Sequence, residues 1–127
     1  GASCKLLPHL WAALDRSYYN WSRYSVNYFG EYLERDFPDV LKVGAGLELQ
    51  SFFRIFGRRI DFPFRLGLVY DPQPMKAPRS SYASFTVGGG IAWRNFKLDF
   101  GALVGREYGS GNDLAARKIS VSLTFQL

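Results

Sequence analysis

Cysteine, histidine and methionine are almost absent from this chain of 127 residues, which contains one of each. Because Cys4 has no second cysteine to pair with, no internal disulfide bond can form and the compartment cannot be inferred from cysteine pairing. Because His9 is the only histidine, the residues offer neither a histidine-rich metal site nor a separate base for a catalytic triad. We therefore expect no catalytic residue, no metal, no cofactor and no enzyme activity.

Long apolar runs are also missing, since no stretch approaches the ~18 apolar residues that a membrane-spanning helix needs. No signal peptide is visible in the sequence. The net charge is +5, but the basic residues are spread along the chain instead of forming a dense stripe. This distribution argues against a nucleic-acid partner.

What is abundant is apolar, aromatic and glycine residues. Hydrophobic residues make up 47 % of the chain and aromatic residues 17 %, and there are 13 glycines. Aromatic side chains pack well on pleated strands, and glycine eases bends in them. The composition favours an all-β protein, either soluble or in the wall of a membrane barrel with aromatic girdles.

The clearest single element is the strand predicted over residues 118–127. Its odd-numbered positions are all apolar and its even-numbered positions are all polar, which is the period of a strand with two different faces. In a transmembrane barrel the apolar face contacts lipid. The candidate membrane-facing residues are Ile119, Val121, Leu123, Phe125 and Leu127.

Five further strands are predicted upstream, over residues 10–19, 40–51, 62–70, 82–93 and 96–105. Residues 1–9 are expected to be an irregular lead-in, and a short helix over 10–16 competes with the first strand. Residues 20–38 form a long connection, with a helical turn predicted within 31–36, and residues 52–61 form another connection. Arg94-Asn95 is predicted to be a two-residue hairpin turn.

Charged residues recur in the middle of the polar strand faces. If these faces line a barrel lumen, the charges form a ladder of salt bridges across neighbouring strands. The carboxylate of an acidic ligand could use one of the basic members. The candidate lumen-facing residues are Lys42, Glu48, Arg65, Lys97 and Asp99.

Strand length and loop length favour a membrane barrel over a soluble sandwich. The predicted strands have about 9–12 residues, which is near the length needed to cross a bilayer at ~45° tilt. The connections alternate between long and shorter, as in bacterial outer-membrane barrels. The expected fold is therefore an antiparallel meander of about six strands that forms part of a transmembrane β-barrel wall.

Four stretches resemble the C-terminal part of the FadL-type family of outer-membrane transporters for long-chain fatty acids and other hydrophobic compounds. They are Asn20-Trp-Ser-Arg-Tyr24, the strand from Leu41 to Leu49, Phe64-Arg-Leu-Gly-Leu-Val-Tyr-Asp-Pro-Gln-Pro74, and the hairpin from Phe85 to Gly101. The family's barrel has about fourteen strands, a plug and a ligand pocket. The resemblance therefore covers only wall, and residues 1–127 would be one C-terminal barrel segment.

The resemblance implies a bacterial outer-membrane protein that passes hydrophobic small molecules, such as long-chain fatty acids, without a reaction. Its partners would be membrane lipid and further β-strands, from the same longer chain or from other chains, because a bilayer does not tolerate open sheet edges. Two alternatives remain. The chain could be a structural β-subunit of a larger outer-membrane assembly, or a soluble β-sandwich or small ligand-binding barrel.

Overall fold

The computed structural model describes residues 1–23, 25–28, 31–34 and 37–126, and for residues 25–28 and 31–34 it describes the backbone alone. The chain is all-β and forms one antiparallel meander of seven strands in the order β1-β2-β5-β6-β7-β8-β9. Its strands are β1 (Ala2–Leu7), β2 (Leu10–Tyr19), β5 (Val40–Ile55), β6 (Arg58–Pro72), β7 (Ser81–Trp93), β8 (Phe96–Tyr108) and β9 (Ala115–Phe125). A separate hairpin pairs β3 (Ser25–Tyr28) with β4 (Glu31–Glu34).

The structure differs from the sequence predictions mainly in the number and length of strands. The sheet has seven strands instead of six, because the expected lead-in contains β1, which pairs with β2 across a turn at Pro8 and His9. Residues 10–16 belong to a strand and not to a helix, and the helical turn within 31–36 is wrong because Glu31–Glu34 is a strand. Both segments gain cross-strand hydrogen bonds, which outweigh local helix preference.

The predicted connection over residues 52–61 is also wrong, because β5 and β6 continue to a two-residue turn at Phe56 and Gly57. The extension was missed because the pairs Phe52-Phe53 and Arg58-Arg59 interrupt the period-two alternation. Pro63 lies opposite Gln50 of β5, and the pairing of β6 with β7 is interrupted there. The Arg94-Asn95 turn is confirmed.

The corrected boundaries place the tight turns between neighbouring strands of the seven-stranded sheet at one end. The three connections at this end, called the short-turn end, have two residues each: 8–9, 56–57 and 94–95. The connections at the opposite end are longer and span residues 20–39, 73–80 and 109–114. The two ends of the sheet are therefore structurally different.

Register gives the sheet two unlike faces. One row across the sheet runs Trp11, Glu48, Arg65, Gly88, Gly101 and Ser120, and it belongs to what we call the charged face. The neighbouring row on the other side runs Ala12, Leu47, Leu66, Val87, Ala102 and Ile119, and it belongs to the apolar face. Period-two alternation is kept in register over six strands, so each face is continuous.

The sheet encloses almost no core of its own. Val40, at 5 % exposure, is the single buried apolar side chain among the residues with described side chains. The large side chains of the apolar face, such as Leu68, Phe85 and Phe100, are about half exposed. One layer of sheet cannot bury its own apolar face, so this face requires a partner or an apolar solvent.

Candidate functional site

The charged face lines an open trough of about 1010 Å³ to which all seven strands of the sheet contribute. Its lining combines apolar and polar groups, so the trough is amphipathic. Representative lining residues, one from each strand, are Ser3, Trp11, Lys42, Arg65, Thr86, Asp99 and Ser120.

Four of the five predicted lumen-facing residues meet in one ion-pair network at the floor of this trough. Arg65 Nε donates to Glu48 Oε2 at 2.6 Å, and Arg65 Nη1 donates to Asp99 Oδ1 at 2.9 Å. Lys97 Nζ lies 3.0 Å from Asp99 Oδ2. The network links β5, β6 and β8, so one guanidinium ties together strands that are not all adjacent.

Glycine makes the long reach of Arg65 feasible. The contact between Arg65 and Asp99 crosses β7, where Gly88 and Gly90 stand on the charged face. A Cβ on Gly90 would lie 2.6 Å from Asp99 Oδ1, and one on Gly88 would lie 3.0 Å from the Phe100 carbonyl oxygen. Glycine is needed at Gly90 to leave room for the carboxylate.

Gly89, between these two glycines, stands on the apolar face. A Cβ on Gly89 would lie 2.9 Å from Cζ of Phe100, so the ring covers the position where a side chain would stand. Gly89 therefore makes room for a bulky side chain on the adjacent strand.

Lys42 does not join the network. Its Nζ lies 2.7 Å from Asp71 Oδ2 and forms a second ion pair, farther from the short-turn end of the sheet. The sequence reasoning missed Asp71 because it ended the third predicted strand at Tyr70. The same period-two face that holds Arg65 and Gly67 reaches Asp71, and this was the signal that could have found it.

The ion pairs change the interpretation of the basic residues. Lys42, Arg65 and Lys97 each contact a carboxylate, so none of them is an uncompensated site for a ligand carboxylate. Glu48 and Asp99 are both held as salt-bridge partners. Among the described residues, no group of three or more histidine, cysteine, aspartate or glutamate side chains could hold a metal ion.

Both ends of the long connection after β2 are tied down near the rim of the sheet. The hydroxyl of Tyr18 donates to Asp39 Oδ2 at 2.5 Å, and the backbone N–H of Ser22 donates to Asp39 Oδ1 at 2.8 Å. These hydrogen bonds hold the pKa of Asp39 below its ordinary value, and the bond from Tyr18 has the largest effect. Trp21 also packs edge-on to Phe37, with 6.5 Å between the ring centroids.

The predicted membrane-facing residues of the last strand lie on the apolar face and are highly exposed. Ile119, Val121, Leu123 and Phe125 expose between 65 % and 82 % of their surface. Leu127 lies outside the described residues. No helix in the described part of the chain is long and apolar enough to cross a membrane.

No protein-family profile, curated protein or solved structure matches this chain. The resemblance to FadL-type transporters therefore stays a prediction from the sequence, and the functional argument has to come from the two faces of the sheet.

Proposed function

We propose that this chain is a segment of the wall of a transmembrane β-barrel in the bacterial outer membrane, and that the barrel passes hydrophobic small molecules, such as long-chain fatty acids, passively. The observation that carries the proposal is the continuous apolar face, exposed on one side of a single sheet that has paired charges on its other side. In a barrel the apolar face contacts lipid and the charged face lines the lumen.

The accessible surface supports an apolar environment for this sheet. The chain exposes 10003 Å², whereas a compact soluble monomer of 14.4 kDa exposes about 6,800 Å² by the usual scaling with mass. Soluble monomers also rarely expose a continuous apolar patch larger than a few hundred Å². A soluble sandwich would need a second layer on the apolar face, and the described residues provide none.

The dimensions of the apolar face also support a bilayer. On β8 the apolar positions run from Phe96 to Val104, which is about 27 Å along the strand, or ~20 Å across a membrane at a usual barrel tilt. The apolar band of outer-membrane barrels is about 25 Å tall. Aromatic side chains stand at both margins, with Trp93 and Phe96 at the short-turn end and Tyr70 and Tyr108 at the other, as in interfacial girdles.

The open edges of the sheet indicate that further strands are needed to close a barrel. Strands β1 and β9 each pair on one side only, and unpaired backbone groups are very costly in hydrocarbon. A closed lumen therefore requires strands beyond those described. The amphipathic trough suits passive diffusion of molecules that have a long apolar part and a small polar part.

The ion-pair network favours a second candidate, a structural subunit of a larger outer-membrane assembly without transport activity. Every predicted lumen-facing cation is neutralised by a carboxylate, which braces the wall and offers no unpaired charge to a ligand.

The test is the intact mass of the native polypeptide, extracted in parallel with detergent and without it, followed by uptake of a labelled long-chain fatty acid into proteoliposomes. A heavier chain found only with detergent, together with saturable uptake, is the result expected for the transporter. A detergent-dependent chain near 14.4 kDa without uptake would favour the structural subunit. Recovery in the soluble fraction would overturn both.

A further inference from the structure

The hairpin between β5 and β6 carries its tip beyond the neighbouring strand at the short-turn end. Strand β2 pairs with β5 only as far as Leu49, whereas β5 continues to Ile55. The last backbone contact on this side joins the N–H of Gln50 to the carbonyl of His9 at 2.7 Å. The hairpin tip, which we define as residues 54–59, therefore stands clear of β2.

Phe56 at this tip is both strained and unpacked. It has a positive φ of 49° and is followed by Gly57 at 74°, and such paired left-handed residues define a hairpin turn that favours Asn, Asp or Gly. A bulky side chain is uncommon in this left-handed conformation and carries a conformational cost. The ring is also 99 % exposed, so no packing within the chain compensates for the strain.

The arginines of the tip form a second unfavourable arrangement. Arg54 lies directly opposite Arg59 across the hairpin, and Arg58 lies opposite Ile55. Like charges in directly opposed positions destabilise a strand pair. Arg59 is compensated by Asp61, with Nε 2.7 Å from Oδ1, but Arg54 and Arg58 have no ion-pair partner in the described part of the chain.

The tip is continuous with the apolar face of the sheet. Phe53 and Ile55 follow Leu47 and Leu49 at period two, and both are about half exposed. Arg94 adds another positive charge in the neighbouring turn at the same end. On the apolar face the apolar side chains are thus followed by Arg58, and Arg54 and Arg59 lie on the opposite face of the same tip. Apolar groups therefore precede cationic groups towards the short-turn end, in the order that acyl chains and phosphates follow in a lipid leaflet.

We propose that the hairpin tip binds the anionic phospholipid headgroups of the leaflet at the short-turn end. This inference rests on the proposed membrane location of the wall. Phosphate oxygens accept hydrogen bonds from Arg54 and Arg58, and a phosphate at Arg54 also relieves its repulsion with Arg59 across the hairpin. The ring of Phe56 enters the interfacial layer, where an aromatic ring is favoured over water.

The test places an environment-sensitive fluorophore on single cysteines of the full-length chain in a Cys4→Ser background. Phe56→Cys reports on the tip, Val121→Cys on the apolar face of the wall, and Ser122→Cys on the opposite face of the same strand. Each protein is reconstituted into phosphatidylcholine vesicles or into equal mixtures of phosphatidylcholine and phosphatidylglycerol.

We expect emission from position 121 to be strong and blue-shifted in both lipids, and emission from position 56 to become so only with phosphatidylglycerol. Replacing Arg54 and Arg58 by Gln should weaken the response at position 56 by about fivefold per arginine. In the matched control, Arg16 and Arg117 are replaced by Gln instead. This variant loses the same number of positive charges, and its response at position 56 should be unchanged.

The outcomes separate the two proposals. A position 121 that reports water in both lipids overturns the wall itself. If position 121 reports lipid but emission from position 56 does not change with phosphatidylglycerol, the wall stands and lipid binding by the tip is overturned. This is the result expected if the tip binds an acidic protein instead of lipid. Phe56→Asn provides an independent check, since it should raise the melting temperature in neutral detergent while weakening the preference for anionic vesicles.

Discussion

Arg65 is the residue whose side chain does most to join the strands of the charged face. It contacts Glu48 on β5 and Asp99 on β8 at 2.6 and 2.9 Å. Arg65→Gln leaves these two carboxylates without their shared cation, and we expect a loss of about 1–2 kcal/mol in unfolding free energy, because the partners are partly solvated. Denaturant unfolding in detergent micelles measures this change.

The control for Arg65 is Arg106→Gln. Arg106 pairs with Asp113, but both side chains are 61 % exposed, so its loss should change the unfolding free energy by less than about 0.5 kcal/mol. Equal effects of the two substitutions would mean that the network on the charged face contributes no more than an ordinary surface pair.

Gly90 gives a second prediction at the residue scale. In Gly90→Ala the new methyl group would lie 2.6 Å from Asp99 Oδ1 and 2.9 Å from the Leu98 carbonyl oxygen. Because the backbone oxygen cannot move freely, we expect a loss of about 1–3 kcal/mol in unfolding free energy. The same substitution at Gly46, where the nearest atom is 3.4 Å away, should have little effect.

At the scale of the element, β9 tests which face contacts lipid. Val121 and Ser122 are neighbours in one strand and point to opposite faces. Val121→Arg should cost about 2–4 kcal/mol in a bilayer if the site is near the midplane, whereas Ser122→Arg should cost far less. Folding yield into lipid vesicles across a urea series measures both, and similar tolerance at the two sites would contradict the barrel wall.

The long connection after β2 should respond to pH through Asp39. Because the pKa of this carboxyl is lowered in the folded chain, first by the Tyr18 hydroxyl, its stabilising contribution is complete above the ordinary range near ~3.9. The contribution is lost as the pH falls through the lowered folded value. Amide exchange of Ser22, corrected for its intrinsic rate, should show protection at neutral pH that fades in strong acid.

Asp39→Asn is the control for this prediction. The amide can still accept a hydrogen bond from Ser22 but no longer ionises, so protection should be weaker and should not depend on pH. Persistence of the acid-sensitive protection in this variant would assign it to another group.

The element scale also shows which parts of the fold could be predicted. Strand β7 and the start of β8 were found to within one residue, because Phe96, Phe100 and their polar neighbours alternate cleanly and Arg94-Asn95 separates the two runs. The predicted end of β8 at residue 105 was three residues short of Tyr108. Strand β1 was missed because Leu6 and Leu7 break the alternation. Its hydrogen bonds to β2, which are not visible in its own sequence, decide its conformation.

The same limit applies to the charged face. Period two alone placed Glu48, Arg65 and Asp99 on polar strand faces, and this agrees with the structure. The pairing of Lys42 with Asp71 depends on the register between β5 and β6. Register is set across strands, so alternation within each strand could not predict this pair.

At the scale of the whole molecule, strand direction restricts how the sheet can close. All pairs in the seven-stranded order are antiparallel, so the two edge strands β1 and β9 run in the same direction. If a second copy joined the sheet in the same orientation, its β1 would lie beside β9 of the first copy, and these two strands would be parallel. A second copy in one orientation brings the total to an even fourteen strands, but both of its junctions are parallel, so a fully antiparallel barrel requires further strands that run opposite to β1 and β9 at the two edges.

The last prediction follows from this direction rule and uses the native cysteine. Cys4 lies on β1, and Val121→Cys places a second thiol on the other edge strand, on the same face of the sheet. If copies of the sheet adjoined in one orientation, a short bis-maleimide would join position 121 of one copy to Cys4 of the next. We expect no such product in native membranes, because different strands occupy both edges. A ladder of cross-linked copies, absent when Cys4 is replaced by Ser, would show that the wall is built from repeats of this sheet, with parallel junctions between them.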